Sequence, residues 1–383
     1  MTARSAKAAT WAIFAVFFAE SMVLGNWITR IPDIKAKLGL TDTQLGLSIL
    51  AIPMGTLAAF AMASKILAGS GLRQGCRLWL PLWAVFFLLP GLVNSGLMLF
   101  LTLLISGFAV GMCEVAMNTK ADEIERTYDL RIMSRCHGFW SLGSMAGALL
   151  ASSMAQMQVV VSTHYLMVMP LLAIGGYLAS TALPDDQPDA DSQERKKADS
   201  IFSLPSRAIL LLCLLPVGIM TVEGAFIDWS AVFMNSVLNA SPIVIGITYA
   251  FFSVVMAVTR LSGDFLASRL GSEFIVRWSG VAATAGIGIF ALAGNNVVAF
   301  IGATLAGLGV AIVYPLAMTA AARRPGRATE NVAAMSLLAF SAFLIAPPII
   351  GFLSDQLGLR VALLLLVPVA ATTSLLAREI SRN

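Results

Sequence analysis

Charge is scarce in this chain. Only 12% of its 383 residues are Asp, Glu, Lys or Arg, against 58% hydrophobic residues, and the mean hydropathy is +0.84. A soluble globule has an apolar share nearer about 45–50%, so that class is excluded and a polytopic membrane protein is expected. Histidine is scarcer still, with His137 and His164 alone. There is no H-E-x-x-H, no nucleotide-binding loop and no pair of aspartates at helix centres, so an enzyme reading lacks a catalytic constellation and no cofactor is expected. The four cysteines, Cys76, Cys113, Cys136 and Cys213, contain no C-x-x-C pair, which predicts free thiols without a disulfide framework or a metal site.

What is there is apolar sequence in long runs. Twelve stretches are long enough to span, near residues 9–29, 43–64, 76–94, 97–119, 138–158, 163–183, 207–234, 242–263, 275–293, 297–318, 332–352 and 359–377. About 20 residues cross the hydrocarbon core as a helix, and Pro53, Pro81, Pro216 and Pro315 are tolerated inside such helices. The net charge of +4 follows topology and points to no nucleic acid, because the basic residues alternate between loops. With a cytosolic N-terminus, 21 Lys and Arg fall inside and only Arg30, Lys35, Lys37 and Arg360 outside. The positive-inside rule then puts both termini in the cytosol, and Glu20 in the first run argues against a cleaved signal peptide.

The most informative stretch is SGFAVGMCEVAMNTKADEIER, residues 106–126, where an uncharged apolar run acquires Glu114 and then Asn118. Gly107, Gly111, Glu114 and Asn118 share one helix face by their three- and four-residue spacing. The glycines permit close approach of another helix, and an intramembrane acid is costly unless used. Glu20 stands about 11 residues into the first run, roughly 16 Å deep at 1.5 Å per residue. Glu223 and, nearer the outside, Asp228 are further acids, whereas Lys and Arg are missing from the middle of every run. Withdrawal from water favours the protonated form of a carboxylic acid, which makes proton coupling the expectation. The shortage of deep cations argues against an anionic cargo, leaving neutral sugar-like or cationic organic solutes. Asn26 and Trp27 lie near the outer end of the first run, where Arg30 reads as an interfacial anchor. Gly143 and Gly147 offer a second close-packing face behind His137 and Trp140.

The chain also repeats itself. ESMVLGNW, residues 20–27, is echoed by EGAFIDW at Glu223–Trp229, and SGFAVGMCEVAMN by AGLGVAIVYPLAM two hundred residues later, with Gly107 opposite Gly307 and Glu114 opposite Tyr314. The echoes recur in order, as in the repeat architecture of transporters. They predict a six-helix half over 1–183, a linker over 184–206 whose Pro, Asp and Lys read as solvated, and a second half over 207–383.

After the eighth run the chain reads TRLSGDFLASRLG, residues 259–271. GDFLASRLG resembles the cytosolic loop signature of the major facilitator superfamily. The resemblance implies that fold, an all-α protein of twelve transmembrane helices in two six-helix pseudo-repeats, with Asp264, Arg260, Arg269, Gly263 and Gly271 latching an inner gate. The first copy, SKILAGSGLRQGCR, has Ala68 where the aspartate is expected, so the second latch is expected to be the stronger. Acids at Glu20 and Glu114 resemble the fucose permease branch, and EVAMN, HGFWSLG and EGAFIDW are closer to the YbjJ-type inner-membrane permeases. Together these imply a secondary transporter in a bacterial cytoplasmic (inner) membrane, working by alternating access on a small solute with protons, as a monomer in the lipid bilayer. Its substrate- and proton-binding residues would be Glu114, Asn118, Glu20, Glu223, Asp228, Asn26, Trp27, Trp229 and Tyr314. A drug/proton antiporter and a membrane sensor on a transporter fold are the alternatives; the missing Gly-Pro repeat over 138–158 weighs against the former.

Overall fold

The computed structural model describes residues 3–186, 209–325 and 327–382, with all side chains among them but those of Ala3, Arg4, Asp264, Ala328 and Thr329. Most of the expected linker, residues 187–206, lies outside the described residues. The chain forms two compact units. One joins Met1–Leu40, Leu47–Ala190 and Ser241–Ala250; the other joins Thr41–Gly46, Asp191–Ala240 and Phe251–Asn383. Among the described residues there are helices and turns but no strand.

The first eight helices are α1 (Ala3–Ile28), α2 (Ile31–Leu38), α3 (Asp42–Ile49), α4 (Ala51–Ser70), α5 (Leu72–Phe86), α6 (Gly96–Tyr128), α7 (Met133–Gln156) and α8 (Val161–Thr181). The rest are α9 (Leu210–Ser236), α10 (Pro242–Leu270), α11 (Ser272–Leu292), α12 (Asn296–Val310), α13 (Val313–Ala322), α14 (Ala328–Leu357), α15 (Leu359–Leu364) and α16 (Leu366–Leu375). Among the described residues, nine helical segments are long and apolar enough to cross a membrane, and Leu359–Leu375 is a shorter apolar one. Three of the twelve expected runs fall outside those nine for visible reasons. Around 76–94, α5 stops at Phe86 and the chain passes into a 3-10 turn containing Pro90. Over 138–158, α7 is continuous but diluted by glycine and serine. Over 359–377 the helix is interrupted between Leu364 and Leu366.

Small residues bring these helices together. In the first unit a Cβ on Gly143 or Gly147 would strike the Phe18 or Met22 carbonyl of α1, and one on Gly25 would strike the Ser144 carbonyl of α7. The glycine face expected at Gly107 and Gly111 packs on Ile52, Thr56 and Ala59 of α4. Association in lipid relies on such close packing, since burial from water cannot drive it there. In the second unit Gly286, Gly302 and Gly309 join α11 to α12 in the same way.

Local features of the structure recur at the same two-hundred-residue offset. Gly71 and Gly271, both at φ 83°, open α5 and α11. Ser95 and Asn295 both lie in extended backbone and accept an amide three residues on, Met98 at 3.3 Å and Val298 at 3.0 Å. Gly107 approaches Ile52 as Gly307 approaches Phe252. Each pair is separated by two hundred residues. That offset puts Ser64, not Ala68, opposite Asp264.

Candidate substrate and proton site

In the first unit, α1 carries Glu20 and buries it almost completely, at 1% exposure. Two tryptophans fix it. Trp140 of α7 donates its indole N–H to Glu20 Oε2 at 2.7 Å, and Trp83 of α5 donates to the Glu20 carbonyl at 3.1 Å. Glu114 of α6 is half-buried and close enough for the two carboxyl charges to act on each other. Among the described residues the Glu114 carboxyl has no hydrogen-bond partner. Asn118, also half-buried, donates Nδ2 to the Glu114 carbonyl at 2.8 Å, so its amide oxygen remains an acceptor. This arrangement is one carboxyl held by an indole beside one left open. Like charges on the two carboxyls repel, and a proton on either removes the repulsion.

Asn26 and Trp27 have other duties. Asn26 donates Nδ2 to the Met22 carbonyl at 2.8 Å, and its Oδ1 meets His164 Nε2 at 2.9 Å. Since Oδ1 can only accept, the His164 Nε2 carries the proton in that bond. Trp27 is 1% exposed and packs edge-on against Phe87, with ring centroids 5.5 Å apart. Both are buried in the helix packing of this unit. Arg30 is not the surface anchor its position suggests. It is 2% exposed, facing Asp33 at 2.8 Å and donating to the Val159 carbonyl at 2.7 Å.

In the second unit the expectation that no cation lies beside the intramembrane acids is corrected for Glu223. Arg260 of α10 donates Nη2 to Glu223 Oε1 at 3.1 Å and Nε to the Ala311 carbonyl at 3.1 Å. That carbonyl is available because residue 315 is proline, which has no N–H to return to the residue four before it. The α12 helix ends at Val310 and α13 begins at Val313. Arg260 is therefore a cation held at a helix break, and its bonds among the described residues are with Glu223 and Ala311. Glu223 Oε2 remains buried without a protein partner among the described residues. Asp228 is 7% exposed and has no hydrogen-bond partner among the described residues. Trp229 is fully buried with an unpartnered indole nitrogen. Tyr314 bonds Ser336 Oγ through its hydroxyl at 3.1 Å and packs with Met220, Ala339 and Ala342.

Of the remaining residues expected at a gate, Gly263 packs against Ile312, Gly271 opens α11, and Arg269 lies over the Phe265 ring at 5.5 Å. The Asp264 side chain lies outside what the structure describes. The first loop copy is heavily bonded instead. Lys120, 0% exposed, meets Glu123 and Asp186 at 2.8 Å each. Asp186 also accepts the Arg73 amide at 3.0 Å, at the start of α5, and Asp185 pairs with the Arg73 guanidinium. A carboxylate at that helix N-terminus is favoured by the aligned peptide dipoles. Sequence reading assigned Asp185 and Asp186 to a solvated linker with no binding role; the Pro-Asp-Asp run directly after a span was the available signal.

Comparison with known proteins agrees with this architecture. The family model of the Major Facilitator Superfamily matches residues 9–342. An uncharacterised MFS-type transporter of Yersinia pestis is 31% identical over 381 residues, covering 96% of this chain and 94% of the relative. Among solved structures, the nucleoside transporter NupG superposes with a TM-score of 0.76 at 13% identity, covering 98% of this chain and 99% of that one. The Escherichia coli fucose:proton symporter FucP does so with a TM-score of 0.60 at 18% identity, covering 98% of each chain. No branch of the family stands out among these relatives, and the fold is one of transporters, not of enzymes. An all-α polytopic membrane protein, the chain belongs to the Major Facilitator Superfamily.

Proposed function

We propose that the chain is a proton-coupled secondary transporter that moves a small neutral, sugar-like or cationic organic solute by alternating access across a bacterial cytoplasmic membrane. In this reading it has twelve spans, two six-helix halves over 1–183 and 207–383, both termini in the cytosol, and acts as a monomer. The observation that carries the reading is the Glu20–Glu114 pair, one carboxyl held by Trp140 and the other without a protein partner, on helices that are apolar around them. Glu114 and Asn118 bind solute or proton, and Glu20 shares the proton. Asp228 serves as a second acid, while Glu223 is held neutralised by Arg260. The relatives lend support, since a nucleoside transporter and a fucose:proton symporter have this fold.

Trp140 provides a built-in reporter, because its indole is bonded to the acid. Neutral sugars, nucleosides and lipophilic cations are titrated into the purified protein while tryptophan emission is followed in wild type, Trp140→Phe and Glu114→Gln. A saturable change that Trp140→Phe loses and Glu114→Gln weakens at least tenfold supports the reading. Equal binding in wild type and Glu114→Gln removes Glu114 from the site.

A further inference from the structure

Arg30, just past the end of α1, lines a cavity of about 480 Å³ together with Asp33, Lys37, Gln158 and Ser162. Its guanidinium presents five N–H donors and keeps its charge at any physiological pH. Asp33 pairs with Nε at 2.8 Å without hydrogen-bond geometry, and the Val159 carbonyl accepts from Nη2. Nη1 is buried and has no protein partner among the described residues. An unmet donor on a charged group is among the costliest features a protein interior can hold, and the residue that carries it lines the cavity.

The rest of the lining fits an anion. Lys37 donates to the Gly91 carbonyl at 2.8 Å, which leaves two ammonium protons free of that bond. Arg30 and Lys37 against Asp33 leave the lining one positive charge in excess. Asp33 is the resident anion, and its side chain is 46% exposed, so an incoming ligand can reach and displace it. Gln158 holds a left-handed backbone at φ 58°, in the turn that presents the Val159 carbonyl to Arg30. The same turn exposes Met157 and Val160, at 73% and 62%, so apolar surface borders the cationic groups.

We propose that this cavity binds the phosphate group of a phosphate ester, with Arg30 and Lys37 as donors and Asp33 as the built-in competitor that the ligand displaces. A carboxylate would have both oxygens taken up by the Arg30 fork, whereas a phosphate keeps further oxygens for the separate Lys37 ammonium. The ester comes either from an anionic glycerophospholipid, whose chains would lie along Met157 and Val160, or from a free phosphate monoester.

The test uses the full chain in detergent, as wild type, Asp33→Asn, Lys37→Gln and Arg30→Gln. Glycerol 3-phosphate is titrated against matched sodium chloride while the thermal midpoint is followed, and native mass spectrometry compares retained phosphatidylglycerol with phosphatidylcholine. Removing the competitor in Asp33→Asn is expected to tighten binding up to about fivefold, and Lys37→Gln to weaken it by a similar factor, the range of a partly exposed ion pair. Arg30→Gln abolishes it; if that variant does not fold, the other two decide. A response to glycerol 3-phosphate identifies a free ester, and a preference for phosphatidylglycerol alone identifies a lipid. The proposal is overturned if wild type distinguishes neither ligand from its control, or if Asp33→Asn and Lys37→Gln leave binding unchanged.

Discussion

Replacing Arg260 by methionine removes the one cation among the described residues that reaches Glu223, and leaves a carboxyl that is 7% exposed with neither oxygen bonded to any described protein group. At 3.1 Å the gross attraction is about 5 kcal/mol for an effective dielectric near 20, and desolvation of both groups cancels much of it. Breaking a buried pair from one side typically costs about 3–5 kcal/mol. Arg260 itself is 22% exposed, so water reaches it and the cost falls just below that range, to about 2–3 kcal/mol. Glu223→Gln is milder, about 1 kcal/mol, because Arg260 keeps the Ala311 carbonyl and its contact with water. The double variant should return to within about 1 kcal/mol of wild type, since a neutral pair has no stranded charge. Equilibrium unfolding in mixed detergent micelles, followed by tryptophan emission, gives the three values and their coupling. Additive single effects, or an Arg260→Met cost below about 0.5 kcal/mol, would refute the pairing as the force that holds this part of the second unit.

Asp355 accepts the amides of Asp42 and Thr43 at 3.0 and 2.9 Å, capping α3, so Asp355→Asn should lose about 1 kcal/mol there and raise amide exchange over residues 42–45 about fivefold by mass spectrometry. Gly107→Ala forces a methyl into the Ile52 backbone and should lower stability by about 1–3 kcal/mol, whereas Gly175→Ala, with nothing within 4 Å, should leave the thermal midpoint unchanged. Asp186→Asn strands the buried Lys120 ammonium with Glu123 as its remaining carboxylate. It should cost about 2–3 kcal/mol, reduced from the full buried-pair value because Asp186 is 32% exposed, and Lys120→Met in the same background should recover part of it in the same unfolding assay.

The helix over 106–126 and its glycine face were readable because both follow from local spacing. The two-hundred-residue offset was readable for the same reason, and it extends to the helix-opening glycines and the caps at Ser95 and Asn295. The pairing of Arg260 with Glu223 was not, because it joins two helices 37 residues apart and depends on where they cross. A hint was present in Pro315, whose missing N–H orphans the Ala311 carbonyl that Arg260 then takes. Asn26 and Trp27 carry residue types that suit ligands and helix packing equally, and their contacts with His164 and Phe87 were not legible in the sequence. Asp185 and Asp186 were masked by their composition, which resembles a solvated linker until Lys120 is seen to be buried beneath them.

The account turns on whether protons move with solute through Glu114. The purified protein is reconstituted into liposomes loaded with an internal pH dye, and neutral sugars, nucleosides and lipophilic cations are added in turn to wild type and Glu114→Gln vesicles. The account predicts that at least one solute changes the internal pH in wild-type vesicles and leaves it unchanged with Glu114→Gln. A solute that enters both kinds of vesicle at the same rate without moving the dye would contradict it.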